Sequence, residues 1–391
     1  MTITSVRVVE LSSATVHEPP FAFEQWQVTP GDLYTGPRSG GDWRGPDYRP
    51  THHFVEIEAD GVVGRYGPIE HHEVQQIGGG IGALLLGTDA REVGKLHDRM
   101  RRHDRHGLSG AVMCGISALD LALWDLAGVR QGVPVCDLLG GPVRRSVPCY
   151  VSTLGARHDA AAVMSRAAAF AADGWAGQKW FFAHGPASGD EGVRANAALA
   201  ECVRSGAGEA DVMFDAYNGW DEPYARRMCK LLEPTRPRWL EEPIFAEQVT
   251  ALAELRRSTS IPIATGEHVY GRWHTLELLR AGAVDVLQND PVWTGGLTEQ
   301  VAICELARGF GVPVVAHGHA VLPALHVACA KPPDVVPMLE YLPAFSPERH
   351  HFLAKKCVPV AGELTAPTAP GLGMQLDQAN IADRRVITEH A

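Results

Sequence analysis

The chain has 391 residues and a formal net charge of −11, enough length for one large barrel with additions or for two or three domains, and too acidic for binding phosphate backbones. It contains no run of about 18 consecutive apolar residues, and its start, MTITSVRVVEL, reads as a strand rather than a leader, so a cytoplasmic protein with neither nucleic-acid nor membrane partners is expected. Eight cysteines stand singly with no CxxC, which points to reduced, buried thiols rather than to zinc or disulfides.

Residues 1–12 alternate like a strand, and THHFVEIEADGVVGRYGPI (51–69) reads as two strands joined at a turn near Asp60-Gly61. The segment 14–50 between them is rich in Gly, Pro and aromatics, and a loop of that length inside a compact domain is expected to bind or cover a substrate. Its arginines Arg44 and Arg49 are the candidate substrate contacts. From about Glu73 the pattern turns helical, with Ile116, Leu119, Leu123 and Leu126 at helical spacing and Ala118 and Ala122 allowing close packing. Strands followed by helices make an α+β unit over residues 1–140, ending where Gly and Pro cluster in LLGGPVRRSVP. The tail, residues 356–391, is assigned back to this unit.

From Cys149 onward strands and helices alternate, with strand ends near Leu154, Phe182, Tyr217, Glu241, His268, Asp290, His319 and Leu342. Eight such strands favour a parallel barrel over residues 141–355, although strand counting alone leaves a doubly wound sheet open. No G-x-G-x-x-G and no P-loop accompany that alternative.

Three of the strand ends carry acids spaced 26 residues apart: Asp215 in DVMFDAYNGW, Glu241 in RWLEEPI and Glu267 in IPIATGEHVYG. One strand, loop and helix fill each interval, so the three carboxylates reach the face of a barrel where catalytic groups sit. Hard oxygen ligands without cysteine suit Mg²⁺. An acid at a strand end is also a common helix cap, and Glu242 rivals Glu241, since strand alternation lets only one of the two point inward. The remaining strand ends supply Lys179, Asp290, His317 and Glu340. Asp290, followed by a proline, also reads as a helix N-cap, and spacing does not choose between His317 and His319. The doublets His52-His53 and His71-His72 read as solvated turn residues.

The ordered set GISALDLALWDLAG, LLGG, the three carboxylates, QNDPVWTGGLTE, VVAHGHA, MLEYL and PGLGMQLD resembles the mandelate racemase subgroup of the enolase superfamily over nearly the whole chain. The resemblance implies an α/β fold, a modified TIM barrel of seven β/α units and a final strand, (β/α)7β, with an N-terminal α+β capping domain completed by the C-terminal tail. It implies Mg²⁺ on Asp215, Glu241 and Glu267, a His317–Asp290 dyad, positive charge from Lys179, and a protonated Glu340 donating to the substrate carboxylate. A His-Gly pair after the seventh strand favours His317 as the base, leaving His319 with Tyr217, His268 and Trp293 as substrate-facing groups. Many relatives carry Lys-x-Lys on the second strand, whereas here Phe181 follows Lys179 at that spacing, which disfavours racemases that need two opposed bases. The stretch QKWFFAHGPASGDEG is similar to rhamnonate dehydratase and other acid-sugar dehydratases, implying a small acid-sugar substrate converted to a 2-keto-3-deoxy acid. A 2-hydroxy-acid racemase or epimerase and a non-catalytic metal-binding relative are the alternatives, and the resemblance implies a homo-oligomer, dimer to octamer.

Overall fold

The computed structural model describes residues 1–18, 23–36 and 47–391. Strand β1 (Ile3–Ser13) pairs with β2 (Thr51–Ala59), which turns back into β3 (Val62–Ile69). Asp60 and Gly61 both have positive φ, 50° and 77°, the backbone that a two-residue hairpin requires. The tail does return to this sheet, as β11 (Ile381–His390) lies antiparallel on the free side of β1, giving the order β11-β1-β2-β3.

The helix Gly110–Gln131 is long and apolar enough by length and composition to cross a membrane, but most of its residues are buried against β2, β3 and the neighbouring helices. Gly64 shows how closely it packs, because a Cβ there would lie 2.4 Å from the Leu126 backbone nitrogen. This helix also fixes a barrel loop. Ser117 Oγ accepts from the Gly295 amide at 2.9 Å, and Asp120 accepts from the Thr298 amide at 3.0 Å and its hydroxyl at 2.6 Å. Gly296, with φ 80°, must be glycine because a Cβ would come within 2.3 Å of Asp120 Oδ2. Two of the sequence stretches singled out above thus meet each other here, just beyond Asp290.

The second sheet is parallel and curls into a barrel: β4 (Ser146–Ser152), β5 (Gln178–Phe181), β6 (Val212–Asp215), β7 (Leu240–Glu241), β8 (Ile263–Thr265), β9 (Val286–Leu287) and β10 (Leu339–Tyr341), with β10 closing onto β4. The expected seventh strand is reduced to a single parallel bridge between Val314 and Leu287. Pro313 has no amide to extend that ladder, and Val314 instead donates to Val335 at 2.8 Å. Side chains two residues before four of the site residues point the same way and form the layer beneath them. Met213, Trp239, Val315 and Met338 pack there with Tyr150 under Asp215, Glu241, His317 and Glu340.

The short helix His71–Gln76 begins with a reciprocal capping box between Glu70 and Glu73. Glu73 is buried, and burial pushes its pKa up to about 8, the hydrogen bond from the Glu70 amide only partly offsetting it. The folded protein therefore holds a proton that the unfolded chain releases above about pH 4.5. This group's contribution to stability is fully present below that pH and is lost as pH rises toward 8. Glu73→Gln keeps the box and removes the charge, so its denaturation midpoint should exceed the wild type's at pH 8.5 and approach it at pH 5.

Candidate active site

Short strands deliver every expected catalytic group to one end of the barrel. Lys179, on β5, places its ammonium 3.0 Å from Asp215 Oδ2 and 2.8 Å from Glu340 Oε1, and it also bonds Glu241 Oε1. Glu241 additionally accepts from Trp239 Nε1 at 3.0 Å. His317 Nδ1 lies 3.0 Å from Asp290 Oδ2, while its Nε2 faces Glu267 Oε2 at 3.6 Å. The Asp290 carboxylate also accepts from the Val292 amide at 2.8 Å, so it serves both as turn cap and as imidazole partner.

The expectation that only one of Glu241 and Glu242 could point inward is corrected by the structure, where they are 0 % and 1 % exposed. Strand β7 is only two residues long and Glu242 takes a left-handed φ of 42°, so alternation ends at Glu241. Glu242 Oε1 reaches His268 Nδ1 at 3.1 Å, and ligand atoms of Glu242, Glu267 and His268 all lie within 4.8 Å of one another. Glu242 Oε2 is buried with no hydrogen-bond partner.

So many buried carboxylates repel one another. Burial, then the neighbouring acids, push Asp215 up to about 6 and Glu241 and Glu267 up to about 8, against the pull of Lys179 on the first two and of His317 and His268 on the third. A donor set of hard oxygens with excess negative charge and an unpartnered buried oxygen fits a divalent cation. For His317, burial opposes the charge, but Glu267, the bond to Asp290 and Glu340 outweigh it and push the imidazole up to about 10. His319 goes the other way. Burial and the nearby Arg349 hold it well below the usual histidine range, and among the described residues the carboxylate near it is Glu70, at 3.9 Å. Trp293 fixes the rings, stacking on His317 at 4.9 Å and on His268 at 5.4 Å, with His319 tilted against it at 4.8 Å.

For Glu340, burial raises the pKa, but Lys179 and His317 outweigh it and pull its carboxyl below the usual carboxylate range. It accepts from the Gly318 amide at 2.8 Å and lies 2.8 Å from the Lys179 ammonium.

These groups open into a cavity of about 640 Å³ bounded on its other side by the capping sheet and the loop that follows β1. Tyr217, Trp293 and His319 line it as expected. His268 is not among its lining residues and sits instead on Glu267, 3.3 Å away. Arg44 lies outside the described residues. Arg49 is not among the lining residues, because it is exposed and its guanidinium is taken up by the Ala14 carbonyl. The loop contributes Phe23, Trp26 and Gln27 instead, docked through the Glu24 amide on Gly155 O at 2.7 Å and the Val28 amide on Phe182 O at 2.7 Å.

The histidines His52, His53 and His71 also line the cavity, against the expectation that they are solvated turn residues. His52 and His53 lie on β2, where the alternation of THHFVEIEA already signalled a strand. Glu348 and Arg349, at the far end, follow the eighth strand directly, so the rule that residues after barrel strands face the site could have found them.

Residues 49–140 match the family model described as the N-terminal domain of mandelate racemase / muconate lactonizing enzyme, and residues 162–380 match the model described as enolase C-terminal domain-like. The chain is 35 % identical over 339 residues to an L-rhamnonate dehydratase of Saccharopolyspora erythraea, covering 83 % of this chain and 82 % of that one. It is 32 % identical over 361 residues to a D-galactarolactone cycloisomerase of Agrobacterium fabrum, covering 86 % and 92 %. Its fold superposes with a TM-score of 0.84 on the crystal structure of a rhamnonate dehydratase from Gibberella zeae complexed with Mg, at 25 % identity over 97 % of this chain and 94 % of that one.

Proposed function

Because the chain belongs to the mandelate racemase and muconate lactonizing enzyme family of the enolase superfamily, we propose that it is an acid-sugar dehydratase that removes the α-proton and the β-hydroxyl of a sugar acid to leave a 2-keto-3-deoxy acid. The observation that carries this reading is the single His317–Asp290 dyad facing Glu267, with Phe181 lining the cavity where a second lysine base would stand. Relatives named for sugar-acid dehydration support the substrate class.

Asp215, Glu241 and Glu267 would hold Mg²⁺, with Glu242 beside them. A divalent cation bound there supplies positive charge to the substrate carboxylate as the α-proton leaves. Lys179 adds a second positive charge on the same side, held in place by Asp215, Glu241 and Glu340. His317 takes the α-proton at Nε2, while Asp290 keeps the Nδ1 proton in place and stabilises the imidazolium that forms. With Glu267 neutralised by the cation it would hold, His317 would lose the strongest of the attractions that keep it protonated and would become a neutral base closer to ordinary pH. The imidazolium then lies nearest to the departing hydroxyl and returns its proton to it as water leaves. One histidine serves both transfers because Phe181, over which the Lys179 ammonium sits at 5.1 Å, offers no proton on that side.

Incubating the Mg²⁺-loaded enzyme with a library of sugar acids and detecting keto-acid formation tests the proposal. At least one acid should be converted at a kcat/KM within the ordinary enzyme range, above roughly 10⁴ M⁻¹s⁻¹. Racemisation or epimerisation of a 2-hydroxy acid without any keto acid would replace it with the racemase reading.

A further inference from the structure

We infer that the chain carries a second ligand site, apart from the catalytic cavity and independent of the reaction assigned to it, that takes a small anion with a flat aromatic part, the chemistry of a nucleoside phosphate. A cavity of about 700 Å³ opens between the helix Val93–His103 and the first turn of the helix Gly271–Ala281, and it shares no lining residue with the catalytic one. Spacings of three and four residues line up Asp98, Arg101 and Arg102 on one face of the first helix, and Arg105 follows in the turn beyond it. Arg272 and Trp273 come from the second helix.

The charges there do not cancel. Glu299, fully buried behind the arginines, is gripped by Arg272 through Nε and Nη2 at 2.8 Å each, which leaves Arg101 at 3.6 Å without a hydrogen bond to it. Arg101 Nε is buried and has no partner. Asp98, the one acid among the described lining residues, accepts from Arg102 Nε at 2.7 Å. The Arg105 side chain makes no ion pair or hydrogen bond among the described residues. Four guanidiniums against two carboxylates leave an excess of two positive charges in a concave wall, on a chain whose net charge is −11. Such a local inversion gathers anions at one place on a surface that elsewhere repels them. The fork of a guanidinium matches the paired oxygens of a phosphate. Trp273 accounts for the aromatic part of the ligand. Its indole is 63 % exposed and packs on no other ring among the described residues, which leaves a face on which a base stacks.

The test titrates the Mg²⁺-loaded protein by calorimetry with AMP, adenosine and inorganic phosphate, at about 50 mM and about 300 mM salt. AMP should bind once per chain, roughly tenfold or more tighter than either fragment, and more weakly at the higher salt. Arg105→Gln should weaken AMP by roughly tenfold, the loss of a charged hydrogen bond. Trp273→Ala should weaken it by roughly fivefold or more, the loss of the stacking face. Both side chains are exposed, so circular dichroism and the denaturation midpoint should stay as in the wild type. No AMP binding at millimolar concentration overturns the inference. Equal AMP affinity in the wild type and both variants also overturns it, since the nucleotide would then sit elsewhere, and so does inorganic phosphate binding as tightly as AMP. An oligomer that either variant dissociates, with AMP unbound, would give the cavity to a second copy of this chain instead.

Discussion

His317→Asn should abolish keto-acid formation, lowering kcat by roughly 10⁴-fold or more, because one imidazole is asked to act both as base and as acid. Asparagine preserves a polar side chain of similar reach to Nδ1 and can still meet Asp290, so circular dichroism and the denaturation midpoint should change little. Exchange of the α-proton with solvent deuterium should vanish together with dehydration, since both begin with the same transfer. His319→Asn should keep that exchange, because burial and Arg349 lower the His319 pKa and, among the described residues, it has no carboxylate closer than Glu70 at 3.9 Å. If His319→Asn loses exchange and His317→Asn retains it, the base has been assigned to the wrong ring.

The second large effect is expected from Glu267→Gln. Glu267 faces both the proposed cation position and His317 Nε2, so neutralising it would remove a proposed ligand and alter the proposed base at once. Activity should fall to background. Burial and neighbouring acids penalise the Glu267 charge in the metal-free protein, so the metal-free variant should be no less stable than the metal-free wild type. What it should lose is stabilisation by added Mg²⁺, which for the wild type reaches about 2.7 kcal/mol when the ion is at a hundred times its Kd. Glu241→Gln and Glu242→Gln, compared in the same titration, separate the two inward-pointing neighbours. Loss of the Mg²⁺ response in Glu242→Gln with full retention in Glu241→Gln would move the third ligand to Glu242.

The order of catalytic groups was legible because each ends an apolar run, and in a parallel barrel the ends of the strands share one face. Asp215, Glu267 and Asp290 could be placed on that ground alone, whereas the choice of Glu241 over Glu242 and of His317 over His319 came from the family resemblance. The joint burial of Glu241 and Glu242 was not legible, since it depends on where a two-residue strand stops and on one left-handed backbone angle. The surroundings of Glu340 were hidden for another reason: Lys179 and His317, which pull its pKa down, come from different strands and meet it only in the folded barrel. Arg49 looked like a substrate contact because it sits in a long loop, yet the Ala14 carbonyl takes its guanidinium. The outer wall of the cavity brings Glu70 and Arg349 together across 279 positions, a pairing that no local pattern signals.

The claim that the dyad abstracts an α-proton and then expels the β-hydroxyl is tested most directly by following one converted sugar acid by proton NMR in D₂O with the Mg²⁺-loaded wild type. The account predicts that the C2 proton disappears in step with the appearance of a 2-keto-3-deoxy acid carrying solvent deuterium at C3. Deuterium accumulating at C2 of an acid that never loses its hydroxyl, with no keto acid formed, would contradict it.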